Sequence, residues 1–282
     1  MKPPLLLIGQ GSNDDAYAAE FGRFVHRLRC RLDRTAVDVS GGYLERATPR
    51  LSDSVASLMA RGHHRLVALP LSLSRDGEEF PAAMALEQQR HPTLMYDYGR
   101  PLGPDPRVLS LLAERMGEAA AEIAKPRPVL ELVGARPRLR SVDALAVDEI
   151  PGHVEPGETA VVLVGEGSTD AAANAEIHRV SRLFWETHAY DYMTVETAFV
   201  SVTPPGVPGG LERCRRLGAK RVIVVPYLLF AGGLLERVWA QALAYGAGHP
   251  DLDIRCAEVI GDCETLADVV IDRYEEALQL VH

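Results

Sequence analysis

Short, wholly apolar runs alternate with amphipathic stretches along most of this chain. Apolar runs at 5–8, 37–39, 66–71 and 94–98 are separated by helical patterns at 14–32, 51–61, 81–89 and 107–121. The alternation returns with runs at 161–164, 195–200, 222–229 and 254–259, and with helical patterns at 175–185, 211–217, 235–245 and 265–278. Strands this continuously apolar, each followed by a helix, predict parallel sheets covered by helices on both faces.

The two halves of that pattern are copies. Sliding the chain along itself places Gly9 on Gly165, Gly11 on Gly167, Ser12 on Ser168, Asp14 on Asp170, Pro49 on Pro205, Gly62 on Gly218, Pro70 on Pro226 and Gly77 on Gly233, always at an offset of 156. A constant offset over nearly seventy residues marks an internal duplication. The predicted fold class is α/β, with two tandem doubly wound parallel-sheet lobes of flavodoxin-like topology. The expected division is a first lobe at 1–124, a connector at 125–158 and a second lobe at 159–282. The connector, with spaced prolines and Arg136, Arg138 and Arg140, is long for a plain loop, which predicts an extra element over about 140–147.

Composition narrows the partners. The chain has 282 residues, 47% of them hydrophobic, enough for a sizeable core, and a net charge of −9. That charge argues against non-specific binding to nucleic acid or anionic membrane, both of which need a concentrated positive field. The opening Met1-Lys2-Pro3-Pro4 leads into an apolar run of only four residues, far short of a signal or membrane segment, which predicts a cytoplasmic protein. Cys30, Cys214, Cys256 and Cys263 form no C-x-x-C pair and read as reduced thiols. A small-molecule substrate is expected, with homo-oligomerisation left open.

Ligands of open α/β sheets bind beyond the carboxyl ends of the strands. In the first copy those ends carry Gln10 and Ser12, Glu45, Glu78 and the turn at Gly99-Arg100-Pro101. The second copy has Glu166 and Ser168, Ser201, Leu234 and Gly261-Asp262 at the matching places. A Gly-x-Gly-Ser turn opening a helix can offer N–H groups to an anion, although such turns also serve simply to reverse a strand into a helix. Glu45, Glu78 and Glu166 can ligate a divalent ion or accept a proton if they converge, and are ordinary solvated loop residues if they do not. His63 and His64 read as surface residues at a helix end.

The motifs Gly9-x-Gly11-Ser12, Tyr43-Leu44-Glu45-x-Ala47-x-Pro49, Arg61-Gly62 and Tyr98-Gly99-Arg100-Pro101-Leu102-Gly103-Pro104 recur in a known pattern, with Gly165-x-Gly167-Ser168-x-Asp170 and Pro226-Tyr227-x-x-Phe230 in the second copy. The chain resembles the class II chelatases, the sirohydrochlorin cobalt- and ferrochelatase family, in their long two-lobed form. The resemblance implies insertion of Co²⁺ or Fe²⁺, as substrate, into a tetrapyrrole in cobalamin or sirohaem biosynthesis, without ATP and with no organic cofactor. It also implies two active-site histidines. One would occupy the middle of the first glycine turn, where this chain has Gln10; the other would follow the glycine after the third strand, where it has Glu78.

On that basis Glu45 and Glu78 are the expected metal ligands, with Gln10 and Glu166 joining them as candidate catalytic groups. Gly11, Ser12, Gly167, Ser168 and Arg100 are the expected contacts to substrate carboxylates, with Arg46, Arg75 and Arg237 as further cations. An amide is a poor base and a weaker ligand than imidazole, so altered metal chemistry is the expectation. Two alternatives remain beside the chelatase: the same cleft reused for catalysis on another small substrate, and a tetrapyrrole or metal carrier without catalysis.

Overall fold

The structure, a computed structural model, describes residues 2–11, 14–74, 79–121 and 154–279. Most of the expected connector, and the element expected at 140–147, lie outside the described residues, as do Ser12, Arg75 and Glu78.

The first sheet is built from β1 (Leu5–Gly9), β2 (Val39–Tyr43), β3 (Arg65–Pro70) and β4 (Met95–Tyr98), all parallel in the order β2-β1-β3-β4. The second repeats it with β5 (Thr159–Gly165), β6 (Val195–Phe199), β7 (Arg221–Pro226) and β8 (Asp253–Cys256), in the order β6-β5-β7-β8. The crossovers are α1 (Asp15–Leu32), α2 (Leu51–Ala60), α3 (Glu79–Arg90), α5 (Ala171–His188), α6 (Val207–Arg216) and α7 (Gly233–Ala247). The helices α4 (Pro106–Ala121) and α8 (Glu264–Gln279) follow the last strand of each sheet. The two-lobed parallel α/β architecture is the one the apolar runs predict.

Alternation along the strands explains the layering. Leu6 and Ile8 face outward onto Leu51, Val55 and Leu58 of α2 and Phe80 and Met84 of α3. Leu5 and Leu7 face inward, into a core they share with Val161 and Leu163 of β5. That shared core takes Phe21, Phe24 and Leu28 from α1, Val180 and Phe184 from α5, and apolar residues of α4 and α8. Both sheets thus cover one helical layer, and the lobes cannot separate without exposing it.

Within that layer the last helices are exchanged. Helix α8 packs on β3 and β4 of the first sheet, and α4 packs on β7 and β8 of the second. Tyr274 of α8 donates its hydroxyl to the Pro3 carbonyl at 2.6 Å, and Arg255 of β8 reaches the Ala120 carbonyl of α4 at 2.8 Å. Buried Arg273 of α8 pairs with buried Asp105, which precedes α4, at 2.9 Å. The copies of the sequence and the packing units of the molecule therefore do not coincide.

Three strands depart from the apolar pattern by three residues or more at one end. Strand β2 runs over Val39–Tyr43, later than 37–39, because its interior is Ser40-Gly41-Gly42. A side chain at Gly41 would meet Phe21 at 2.7 Å and Val25 at 2.8 Å, so the strand is buried by close helix approach and not by its own apolar groups. Strands β7 and β8 end at Pro226 and Cys256, sooner than 229 and 259; the apolar residues beyond them are loops buried against neighbouring elements. The four cysteines are free, Cys30 being exposed and Cys214 buried, and burial pushes the Cys214 thiol up to about 12.

Candidate active site

Both glycine turns are dictated by backbone geometry. Gly11 and Gly167 adopt φ of 93° and 91°, a region that L side chains rarely enter. A Cβ would lie 1.8 Å from the Glu45 carbonyl oxygen at Gly11 and 2.0 Å from the Ser201 carbonyl oxygen at Gly167. Each turn is laced to the loop after the neighbouring strand: Glu45 N–H donates to the Gln10 carbonyl, and Ser201 N–H to the Glu166 carbonyl, both at 3.1 Å. The loops repeat as well, with left-handed residues at Arg46 and Val202 and cis peptides before Pro49 and Pro205. The turns thereby bring Gln10 beside Glu45, and Glu166 beside Ser201, at the carboxyl edges of the sheets.

The helix starts beside these turns are already capped. Asp14 and Asp170 accept from Ala16 and Ala172 N–H, each at 2.8 Å. In the second turn, Ser168 N–H donates to Asn174 Oδ1 at 2.9 Å and Ser168 Oγ accepts from Asp170 N–H at 3.0 Å. That N–H is therefore used internally, which favours the structural role of the turn over anion binding.

The edges meet at a seam between the lobes. The loop after β7 reaches α1: Gly233 N–H donates to Asp14, and Ala231 N–H donates to Glu20 at 2.6 Å. The Gly233 bond is the main reason the Asp14 carboxyl is held below its ordinary range. Phe230 enters an aromatic cluster with Tyr17, Phe21 and Phe24, its ring centroid 5.8, 6.4 and 5.7 Å from theirs. Tyr227 donates to the Leu73 carbonyl at 3.0 Å.

Around this seam stand the chemically active groups. Gln10 donates its side-chain amide to Glu79 Oε2 at 3.3 Å, so the carboxylate seen beside Gln10 is the neighbour of the expected Glu78. Glu45 is exposed, with Arg46 3.6 Å away. Glu166 is exposed at the edge of the second lobe; partial desolvation by the protein around it raises its carboxyl, and Arg237 partly offsets the rise. Tyr17 faces Glu166 from the first lobe; burial first, then Tyr43 and Glu166, push its phenol far above the ordinary tyrosine range.

Arg100 is held elsewhere, bonded through two nitrogens to Glu276 of α8 at 2.8 and 3.0 Å. Its guanidinium therefore serves the exchanged helix. Among the described residues, no group of three or more His, Cys, Asp or Glu side chains is placed to hold a metal. Glu79 and Tyr17 were not singled out by sequence. Glu79 carries a weak signal, as the second acid of Glu78-Glu79, while Tyr17 looks like any aromatic in a helix's first turn.

Comparison with known proteins adds to this geometry. The CbiX family model matches residues 4–119 and again 160–277, once on each copy. The chain belongs to the CbiX family. A cobaltochelatase for sirohydrochlorin from Priestia megaterium is 28% identical over 278 residues, spanning 98% of this chain and 80% of the relative. A sirohydrochlorin ferrochelatase from the same organism is 25% identical over 83% of this chain and 76% of its own length. Among solved structures, SirB from Bacillus subtilis with Fe³⁺ superposes with a TM-score of 0.71 at 20% identity, covering 98% of this chain and 96% of SirB. At that identity SirB shows the shared CbiX fold, two parallel four-stranded lobes, and no more. No helix among the described residues of this CbiX member is long and apolar enough to cross a membrane.

Proposed function

We propose that this chain is a sirohydrochlorin-type chelatase that inserts Co²⁺ or Fe²⁺ into a tetrapyrrole held at the seam between its lobes, without ATP. The observation that carries the reading is the CbiX match on both copies, joined to relatives named as sirohydrochlorin chelatases that match over most of this chain. Insertion requires the ion to shed water and two pyrrole N–H protons to leave to a base while four nitrogens close on the metal. Carboxylates supply that chemistry here. Glu45, with Glu78 or its described neighbour Glu79, receives the hydrated ion, a donor set harder than imidazole and suited to weak, transient binding. Gln10 orients Glu79 through its amide. Glu166, whose carboxylate takes no hydrogen bond from any described residue and is raised by its surroundings, accepts a pyrrole proton and returns it to water.

The glycine turns act as scaffolding for these groups, and Arg237 is the described candidate cation left for substrate carboxylates. The protein acts on a small molecule, with neither nucleic acid nor membrane as partner, in the cytoplasm.

Mixing the protein with sirohydrochlorin and Co²⁺ or Fe²⁺ and following the absorption spectrum tests the reading. Metallated product forming well above the protein-free rate is the expected result. Product appearing no faster than without protein overturns it; spectral binding without insertion identifies a carrier instead.

A further inference from the structure

A single carboxylate serves two helices that belong to different lobes. Asp14 Oδ1 accepts from Ala16 N–H at 2.8 Å and caps α1, while its Oδ2 accepts from Gly233 N–H, the first amide of α7. Both oxygens are thus spent on helix starts, whose free N–H groups attract an anion. Gly232 and Gly233 allow the approach: a Cβ at Gly232 would lie 2.8 Å from Asp14 Oδ2 and 3.2 Å from Tyr17 Cβ, and one at Gly233 would lie 3.4 Å from the same oxygen. The equivalent acid of the second copy behaves differently. Asp170 accepts from Ala172 N–H at 2.8 Å, and among the described residues its carboxylate takes no hydrogen bond from the first lobe.

Asp14 opens a row of contacts along one face of α1. Glu20 accepts from Ala231 N–H at 2.6 Å, and buried Phe230 packs against Tyr17, Phe21 and Phe24. Residues 230–233 therefore form a strap from the second lobe, pinned to the first by a buried ring and two carboxylates. Both ends of the strap lie next to candidate chemistry. On the second lobe it follows β7, whose Pro226 pairs with Val164 of β5, two residues before Glu166; Tyr227 N–H also donates to the Val164 carbonyl at 2.8 Å. On the first lobe it is held four residues after Gln10, in the turn laced to Glu45. The strap is a direct tie between the edge that carries Gln10 and Glu45 and the edge that carries Glu166.

We propose that Asp14 is a positioning residue: by capping α1 and α7 with one carboxylate it fixes the carboxyl edge of the first lobe against that of the second, so that Glu45 and Glu166 meet one substrate molecule together. This rests on the chelatase reading and says how groups on separate lobes act in a single insertion. The bonds suit alignment. The shared core holds the lobes together by burial, which has no preferred direction, whereas hydrogen bonds at the edge are directional and fix the angle between the edges. Only a carboxylate fills this place. Asparagine caps a helix as well as aspartate does but has one acceptor oxygen, so whichever N–H it takes, the other helix start loses its partner.

The test is a double-substitution cycle on the two ends of the shared bond, read by steady-state Co²⁺ insertion into sirohydrochlorin and by hydrogen exchange of the amides of 231–235. Asp14→Asn breaks the arrangement from the first lobe. Gly233→Pro removes the donor from the second, at the first position of a helix, where proline is well tolerated. Each should lower kcat and kcat/KM together by about tenfold, the signature of alignment lost in the transition state. Each should also speed exchange over 231–235 by about tenfold, the order expected for losing one hydrogen bond to a charged group. The double variant should be no slower than either single one, because both remove the same interaction. Asp170→Asn, which keeps its one acceptor role, should match wild type in both measurements. Wild-type rates in Gly233→Pro overturn the proposal and leave Asp14 an ordinary cap of α1, as does a double variant whose loss is the product of the two singles, or a loss confined to KM. Exchange unchanged in Asp14→Asn overturns the clamp whatever the activity. A wild-type protein that inserts no metal instead overturns the chelatase reading, and the positioning role with it.

Discussion

The turns after β1 and β5 have nearly the same backbone and different contents. In both, a glycine at φ near 90° lies against a carbonyl of the next strand's loop. In the first, the middle residue is Gln10, an amide bonded to a carboxylate at 3.3 Å; in the second it is Glu166, a carboxylate that no described residue bonds. Packing dictates the flanking glycines, because a side chain at Gly11 or Gly167 collides with backbone that cannot yield, and one at Gly9 or Gly165 crowds Phe21 and Tyr43 or Ile177. It places no demand on the residue between them, whose side chain projects from the sheet edge. Duplication therefore preserved the frame in both lobes and left the chemistry free to diverge.

The strongest way to break that comparison is to attack the frame. Gly11→Ala and Gly167→Ala should each destabilise the fold by about 2–4 kcal/mol, since each forces both an unfavourable φ and a clash with backbone. Equilibrium urea unfolding measures this, and the two costs should agree to within about 1 kcal/mol. A large cost at one turn and a negligible one at the other would show that the turns are not structural equivalents.

The contents should respond differently. Glu166→Gln should lower the metal-insertion rate by about a hundredfold, the usual scale for losing a positioned base. Gln10→His should raise the rate by about tenfold, because imidazole accepts protons and binds Co²⁺ better than an amide, while its N–H can still donate to Glu79. Rates measured under identical metal concentrations decide both. If Gln10→His is no faster than wild type, Gln10 serves the present site and is not a deficit in it.

Much of the frame was readable from the chain. The apolar runs, the offset of 156 and the glycine pairs reveal two parallel lobes because strands buried on both faces must be apolar throughout. Strand β2 was misplaced where glycines, not apolar side chains, make burial possible. The exchange of α4 and α8 left no local sign, since an amphipathic helix reads the same whichever sheet it covers. The site was less legible. Gln10, Glu45 and Glu166 stand at the carboxyl edges as the topology requires, but Arg100 turned out to be tied to Glu276, and Tyr17 gains its meaning only from Phe230 and Glu166, distant in sequence and brought near by the fold.

The smallest expected effect sharpens the contrast between the two middle residues without any substrate. Glu166 has its folded-state carboxyl raised by burial, so charging it costs the folded protein more than the unfolded chain. Its contribution favours folding below the unfolded glutamate range near pH 4, and is lost as pH rises through the higher folded value. Removing the charge should therefore stabilise the protein at neutral pH. Because Glu166 still touches solvent, screening limits the gain to a few tenths of a kcal/mol. Glu166→Gln should show a slightly higher urea midpoint than wild type at pH 7, with the difference vanishing near pH 4. Gln10, which does not titrate, offers the control: Gln10→Ala should shift stability by the same amount at both pH values. A stabilisation of Glu166→Gln that persists unchanged at pH 4 would mean that the carboxylate is disfavoured by shape and not by charge, and that it is no more poised to accept a proton than an ordinary surface acid.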